Sequence, residues 1–360
     1  MARKPTRKIA QKAARKTARK AKTPARFRAT RPLTIDVHTH IPAPQAQAML
    51  RELQHGPDSE RQARYALATR RAEGVREPMA REEASDPILR LKKMDSAKID
   101  VQLISVNTSP PFYALAPEEA QKISRIANET VAEFMTHAPD RFVGLGNVPL
   151  QSAEAAVAEL EYAMGRLGLK GVDILTNVRG HDLGEEQFWP FWKRAEELGA
   201  VVFLHPLGFT QPDRLMKFRL ANTVGQPLEE ALAMLSLIHE GVMEKFPRLK
   251  IVMAHGGGYL PFYYGRSDST FYRDPHLRGA ITKPPSTYIK RFFLDTCVFD
   301  LPMIEFLSET AGIDRVVLGT DYPYRDWGAV DMILSSKRLG RDAKARILGG
   351  NAAKALGLAA

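Results

Sequence analysis

Ile35-Asp36-Val37-His38-Thr39-His40 is the stretch on which the fold turns. An apolar, β-branched start closed by histidines reads as a buried strand presenting polar side chains at its C-terminal tip. Residues two apart in a strand face the same side, so His38 and His40 can meet one ion. Alone, His-x-His is a weak signal. Three further apolar runs end in the same way: Val201-Val202-Phe203-Leu204-His205, Ile251-Val252-Met253-Ala254-His255 and Val316-Val317-Leu318-Gly319-Thr320-Asp321. In a barrel of parallel strands such tips converge on one face, where catalysis is found. Two or three neutral imidazoles with a carboxylate suit a borderline-soft divalent ion such as Zn²⁺. His255 is either a fifth ligand or a general base; an imidazole beside a metal is more useful taking and returning a proton. Pro42, Pro206, Gly208, Gly256, Gly257, Gly258 and Pro323 end the strands and let loops form around a pocket.

Working outward, strand-like runs occur at 33–37, 99–106, 142–148, 171–175, 200–204, 250–254, 291–296 and 315–319. Helical patterns lie between them. One runs 117–137, with Pro117 in its first turn. Another starts after a Ser152 cap, and others cover 185–198, 227–246 and 342–356. Eight strands alternating with helices predict parallel pairing through right-handed crossovers and a (β/α)8 barrel. Residues 41–95 form an insertion after the first strand. Its part at 51–90 is crowded with Arg and Glu and is expected to be helical and exposed.

The formal charge of +11 over 360 residues is misleading. Residues 1–31 carry 13 of the 52 Lys and Arg and none of the 41 Asp and Glu, which leaves 39 basic against 41 acidic residues in the remainder. The division is therefore a basic tail, 1–31, expected to be disordered, and one catalytic domain, 32–360. The nearly neutral body gives no case for nucleic-acid binding. The tail is open to three readings: a solvated extension, an arm attracted to polyanions including nucleic acid, or a serine-free transit-like peptide. No run approaches the ~18 apolar residues of a membrane span. The single cysteine, Cys297, excludes an internal disulfide and points to a reducing, cytoplasmic setting as a packed thiol.

The motifs at 35–40, Leu204-His205-Pro206, Phe246-Pro247-Arg248-Leu249-Lys250 with Ala254-His255-Gly256-Gly257-Gly258, and Leu318-Gly319-Thr320-Asp321-Tyr322-Pro323-Tyr324 together resemble the amidohydrolase superfamily. More closely they resemble its branch typified by 2-amino-3-carboxymuconate 6-semialdehyde decarboxylase, over about 33–358. The resemblance implies a distorted barrel holding one Zn²⁺, or another divalent ion such as Mn²⁺. His38, His40, His205 and Asp321 are the implied ligands and His255 the acid/base, with Asp321 also counted in the catalytic set. It further implies non-oxidative decarboxylation of a small unsaturated or aromatic carboxylic acid without an organic cofactor. The same site in a hydrolase or hydratase is the alternative. Arg81, five residues before Asp86, fits the branch's substrate-carboxylate arginine. Arg266, eleven after His255, fits one that the branch supplies from a neighbouring subunit, hence a homodimer. Guanidinium forks grip carboxylates bidentately. Tyr324 is expected to touch substrate, and Arg325 offers a further anion contact. Tyr324-Arg325 stand where the branch has Phe-Pro, and Leu207-Gly208 where it has an aromatic residue, so the substrate stays open. Lys170 precedes the fourth strand and cannot serve as a bridging carbamate, which favours one metal. His55, His137, His181, His239 and His276 are expected to be solvated or structural, and Asp173 and Asp295 to support the site without catalysis.

Overall fold

The computed structural model describes residues 31–53, 82–106, 112–206, 212–215, 217–324 and 328–358. Val, Ile, Leu and Phe runs supply strands with no solvent on either face. β1 (Ile35–Ile41), β2 (Val101–Val106), β4 (Gly171–Ile174) and β7 (Val201–Leu204) are buried along their whole length, as parallel strands covered on both sides should be. With β3 (Phe142–Gly144), β8 (Lys250–Met253), β9 (Phe293–Asp295) and β10 (Val316–Val317) they form two parallel sheets, β1-β2-β3 and β10-β9-β8-β7-β4. β5 (Asn177–Val178) and β6 (His181–Asp182) make a small antiparallel hairpin.

Backbone bonds join the two sheets at both flanks. Gly146 bridges Val172, and Asp173 N donates to Gly146 O. Thr39 bridges Tyr322; Val37 N donates to Leu318 O, and Asp321 N to His38 O. Parallel pairing therefore runs from β1 through β2, β3, β4, β7, β8, β9 and β10 and returns to β1. Alternation sorts the side chains into two layers. Val37, Leu103, Leu145, Phe203, Val252 and Phe293 fill an inner cluster. Ile104, Val172, Ile174, Leu204 and Met253 face outward into a core shared with helix residues such as Trp192 and Leu237.

Several expectations change in detail. The expected helix at 227–246 is two helices, Gln226–His239 and Val242–Lys245, because Gly241 turns left-handed at φ 84°. The last helix carries a π-turn at Arg346–Gly350, where Gly349 packs so tightly that a Cβ would sit 2.3 Å from Leu33 O. The insertion contributes helices Pro44–Leu53 and Pro87–Ser96; its residues 54–81, like the tail residues 1–30, lie outside the described residues. Arg31, the last residue of the basic run, is tied to the body through Asp100 at 2.7 and 2.8 Å. Among the described residues no helix is long and apolar enough to cross a membrane.

The expected exposure of 51–90 fails at Arg90, which is fully buried. Arg90 and Met94, one helical turn apart, share the buried face of Pro87–Ser96. Arg90 Nη1 donates to His40 O at 2.8 Å, Nε to Gln102 Oε1 at 2.7 Å, and the guanidinium lies over the Tyr322 ring. Burial pushes its pKa down to about 10.

Gly171, at φ 151°, brings β4 so near β7 that a Cβ would lie 1.8 Å from Val201 O. Gly171→Ala is expected to cost about 3 kcal/mol or more of unfolding free energy in urea titration. A loss below about 1 kcal/mol would contradict this close approach.

Candidate metal centre

Three strand tips deliver the four side chains of the centre. His38 and His40 lie on β1, His205 directly follows β7, and Asp321 lies four residues past β10. Ring centroids are 5.2 Å apart for His38–His40 and 4.9 Å for His38–His205 and His40–His205. Asp321 Oδ1 is 3.2 Å from His38 Nε2 and 3.4 Å from His40 Nε2. The candidate ligand atoms of the four residues all fall within 4.8 Å of one another. His38 Nε2, His40 Nε2, His205 Nε2 and Asp321 Oδ1 are buried, and none makes a hydrogen bond among the described residues. Buried polar atoms are nearly always satisfied. Four orphans of ligand type facing one point fit a divalent cation, and three imidazoles with one carboxylate suit Zn²⁺ or Mn²⁺.

The ligands are locked from behind. Asp295 Oδ2 lies 2.6 Å from His38 Nδ1, which fixes the ring with Nε2 forward. Asp295 Oδ1 accepts from Gly256 N at 2.9 Å and Cys297 N at 3.0 Å, so one carboxylate ties β9, β1 and the turn bearing His255. Ser105 Oγ sits 3.3 Å from His40 Nδ1. Asp36 Oδ1 accepts from His38 N and Thr320 N, and Oδ2 from Thr320 Oγ1 at 2.6 Å. Asp321 at φ 63° and His255 at φ 46° are left-handed non-glycine residues, a cost of order 1–3 kcal/mol each that persists only where surroundings enforce it.

Electrostatics separates the imidazoles. Burial first, then neighbouring imidazoles, holds His205 well below its usual pKa, and burial with His38 lowers His40. Neutral imidazole is the ligand form. For His38, burial opposes the charge, but Asp321 and Asp295 outweigh it and the pKa stands well above normal. Asp321 is held well below the carboxylate range: burial would raise it, and His38 and His40 prevail.

His255 stands beside this set, its ring 5.1 Å from His38 and 5.2 Å from His205. Its Nδ1 is taken by Glu230 Oε1 at 2.5 Å. Glu230 is fully buried on Gln226–His239, and burial pushes its carboxyl up to about 7 against the pull of His255. Burial would lower His255, but the charge and hydrogen bond of Glu230 overcome it and raise the pKa. Sequence reasoning passed over Glu230. The available signal was two consecutive acids in an otherwise apolar helix. Its neighbour Glu229 is also buried, accepting from Thr176 Oγ1 and Asn177 Nδ2.

Tyr324 reaches the centre, its ring 5.8 Å from that of His40. Arg266 does not: it is exposed on Leu260–Arg273, in a surface groove with Tyr259 and Tyr263. Arg81, Arg325, Leu207, Gly208 and His55 lie outside the described residues. His181 pairs with Glu185 at the surface and His239 with Arg278 O. Cys297 is buried beside His38 and His255, and burial raises its thiol far above the usual range.

Comparison with known proteins identifies relatives over most of the chain. The family model described as Amidohydrolase matches residues 35–358. The chain is 36% identical over 277 residues to 2-amino-3-carboxymuconate-6-semialdehyde decarboxylase of Dictyostelium discoideum, covering 76% of this chain and 77% of that one. The 5-carboxyvanillate decarboxylase of Sphingomonas paucimobilis superposes with a TM-score of 0.80 at 26% identity, over 91% of this chain and 99% of its own. The corresponding enzyme of Novosphingobium aromaticivorans, TM-score 0.80 and 25% identity over 91% and 97%, was solved with bound manganese and 3-methoxy-4-hydroxy-5-nitrobenzoic acid. Histidine pair, strand-tip ligands and matched length point the same way: the chain belongs to the amidohydrolase family, in the branch of 2-amino-3-carboxymuconate-6-semialdehyde decarboxylase-like carboxy-lyases.

Proposed function

We propose that the protein is a metal-dependent, non-oxidative decarboxylase of a small unsaturated or aromatic carboxylic acid. The observation that carries this is the set of four unpartnered ligand atoms with the His255–Glu230 pair beside it. The relatives that match most of the chain are named for this reaction. His38, His40, His205 and Asp321 would hold the cation; Zn²⁺ suits the donors, and Mn²⁺ is the alternative. When bound, the cation supplies Lewis acidity and a fixed template for the substrate carboxylate. His255 delivers a proton from Nε2 to the carbon bearing the carboxylate, while Glu230 retains the Nδ1 proton and steadies the ring. That carbon becomes tetrahedral, its bond to the carboxylate breaks, and the electron pair returns to the conjugated system. One proton is taken up and one carbon dioxide leaves. Tyr324, Arg81 and, across a homodimer interface, Arg266 are assigned to hold the substrate. With this goes the inference that the circuit of parallel pairing is one distorted (β/α)8 barrel, in a reducing, cytoplasmic setting suited to the lone Cys297 thiol.

The metal-loaded chain is expected to release carbon dioxide from members of a panel of aromatic and muconate-type acids. Net gain of water without carbon dioxide would instead make it a hydrolase or hydratase. His255→Ala is expected to keep its metal and lose about 10²–10⁴-fold in kcat; an active variant with intact metal refutes the acid/base role. Glu230→Gln removes the negative charge that favours imidazolium, so the His255 pKa should fall and its limb of the pH–rate profile move to lower pH. An unmoved or raised limb would argue against the pair. Asp295→Asn should weaken metal binding about 10–100-fold in chelator competition.

A further inference from the structure

We infer that Asp173, with Ser105, forms a subsite beneath the metal centre that receives a hydroxyl or amino substituent of the substrate, an inference resting on the decarboxylase function proposed above. Asp173 pairs with Phe203 in the β4–β7 register, and Phe203 belongs to the inner cluster, whereas Val172 and Ile174 belong to the outer core. Alternation therefore turns Asp173 inward. His205 N donates to Ile174 O, so Asp173 stands one inward level below the ligand His205. Phe203 at the same level touches His38, with ring centroids 5.0 Å apart. Ser105 is opposite His40 in the β1–β2 register, and its hydroxyl favours the charged form of Asp173 through hydrogen bonding.

Asp173 is 2% exposed, and its Oδ1 has no hydrogen-bond partner among the described residues. Asp295, the other aspartate that alternation turns inward on a strand, is spent on architecture: it accepts from His38, Gly256 and Cys297. Asp173 braces nothing with Oδ1, and a buried acceptor left open is costly to the fold. That cost is recovered when a ligand group fills it. A hydroxyl group can donate to a carboxylate and accept from a carboxyl, so it satisfies Asp173 in either protonation state, and an amino group donates to the carboxylate. A methoxy group or a hydrogen cannot do both.

The test uses the full-length, metal-loaded chain with 2-hydroxy-, 2-amino-, 2-methoxy- and unsubstituted benzoates, measured by calorimetric binding and by carbon dioxide release. Wild type is expected to bind the hydroxy and amino acids about tenfold or more tightly than the other two, one hydrogen bond's worth of discrimination. Asp173→Val should bring the ratio below about threefold, because no polar atom is left to be satisfied. In the ligand-free state the same variant should melt at or above the wild-type temperature, since an unsatisfied buried carboxyl has been replaced by an isostere. Ser105→Ala should lower the ratio without abolishing it. Discrimination that survives in Asp173→Val, or a variant that melts lower than wild type, overturns the subsite and makes Asp173 structural. Selective binding of the hydroxy and amino acids without carbon dioxide release from any acid upholds the subsite and removes the decarboxylase function.

Discussion

The site depends on four buried polar atoms that make no hydrogen bond among the described residues. His38 Nε2, His40 Nε2, His205 Nε2 and Asp321 Oδ1 converge without hydrogen bonds. An atom left without a hydrogen bond costs about 1–3 kcal/mol, and the attraction of Asp321 for His38 and His40 at 3.2 and 3.4 Å offsets only part of that cost. A fold can carry such a centre only if the surrounding framework is rigid enough to hold the four together. The backbone bonds that return β10 to β1, Val37 N to Leu318 O and Asp321 N to His38 O, perform that task from the main chain. Asp36 and Asp295 perform it from side chains, each spanning two strand tips.

The strand tips were legible in the sequence because two constraints coincide there. A strand buried on both faces must be apolar throughout, so a histidine or aspartate at its end stands out. The candidate ligands must also come from the same end of their strands, so the exception recurs at matching places. Elements without such a double constraint were harder to place. β9 and β10 are shorter than their apolar runs, because Thr296, Gly319 and Thr320 leave the ladder to bond one another and Asp36. Arg90 was hidden by its company: surrounded by charge in sequence, it turns inward because its helix presents Arg90 and Met94 on one face. Glu230 was hidden by its helix, where an acid ordinarily marks the solvated side, and only the tertiary position of His255 gives it a partner.

Three strand-borne aspartates illustrate how little residue type alone decides. Asp36 and Asp173 are both raised by burial, to about 6 and about 7. Asp36 is pulled back by two hydrogen bonds from Thr320 and one from His38 N, whereas Asp173 has only Ser105 and the more distant charge of His38. Asp295 faces His38 directly and holds its ring. A strand-borne Asp thus becomes clamp, orienter or open acceptor according to which neighbours the register brings to it, and register is set by pairing across strands rather than by local sequence.

The same logic divides three of the four imidazoles; the fourth, His38, is drawn toward the charged form by Asp321 and Asp295. His40 and His205 are pushed toward the neutral form that a metal requires, while His255 is drawn toward the charged form by a buried carboxylate. A ligand and a proton donor need opposite protonation at the same pH. Under the proposed roles the chain meets both needs within one ring-width, 5.2 Å between His205 and His255, by giving Glu230 to one and withholding it from the other. Placing Glu230 on a helix rather than on a strand tip makes this possible. Its carboxylate approaches His255 from behind, at Nδ1, and stays clear of the point where the four ligand atoms meet.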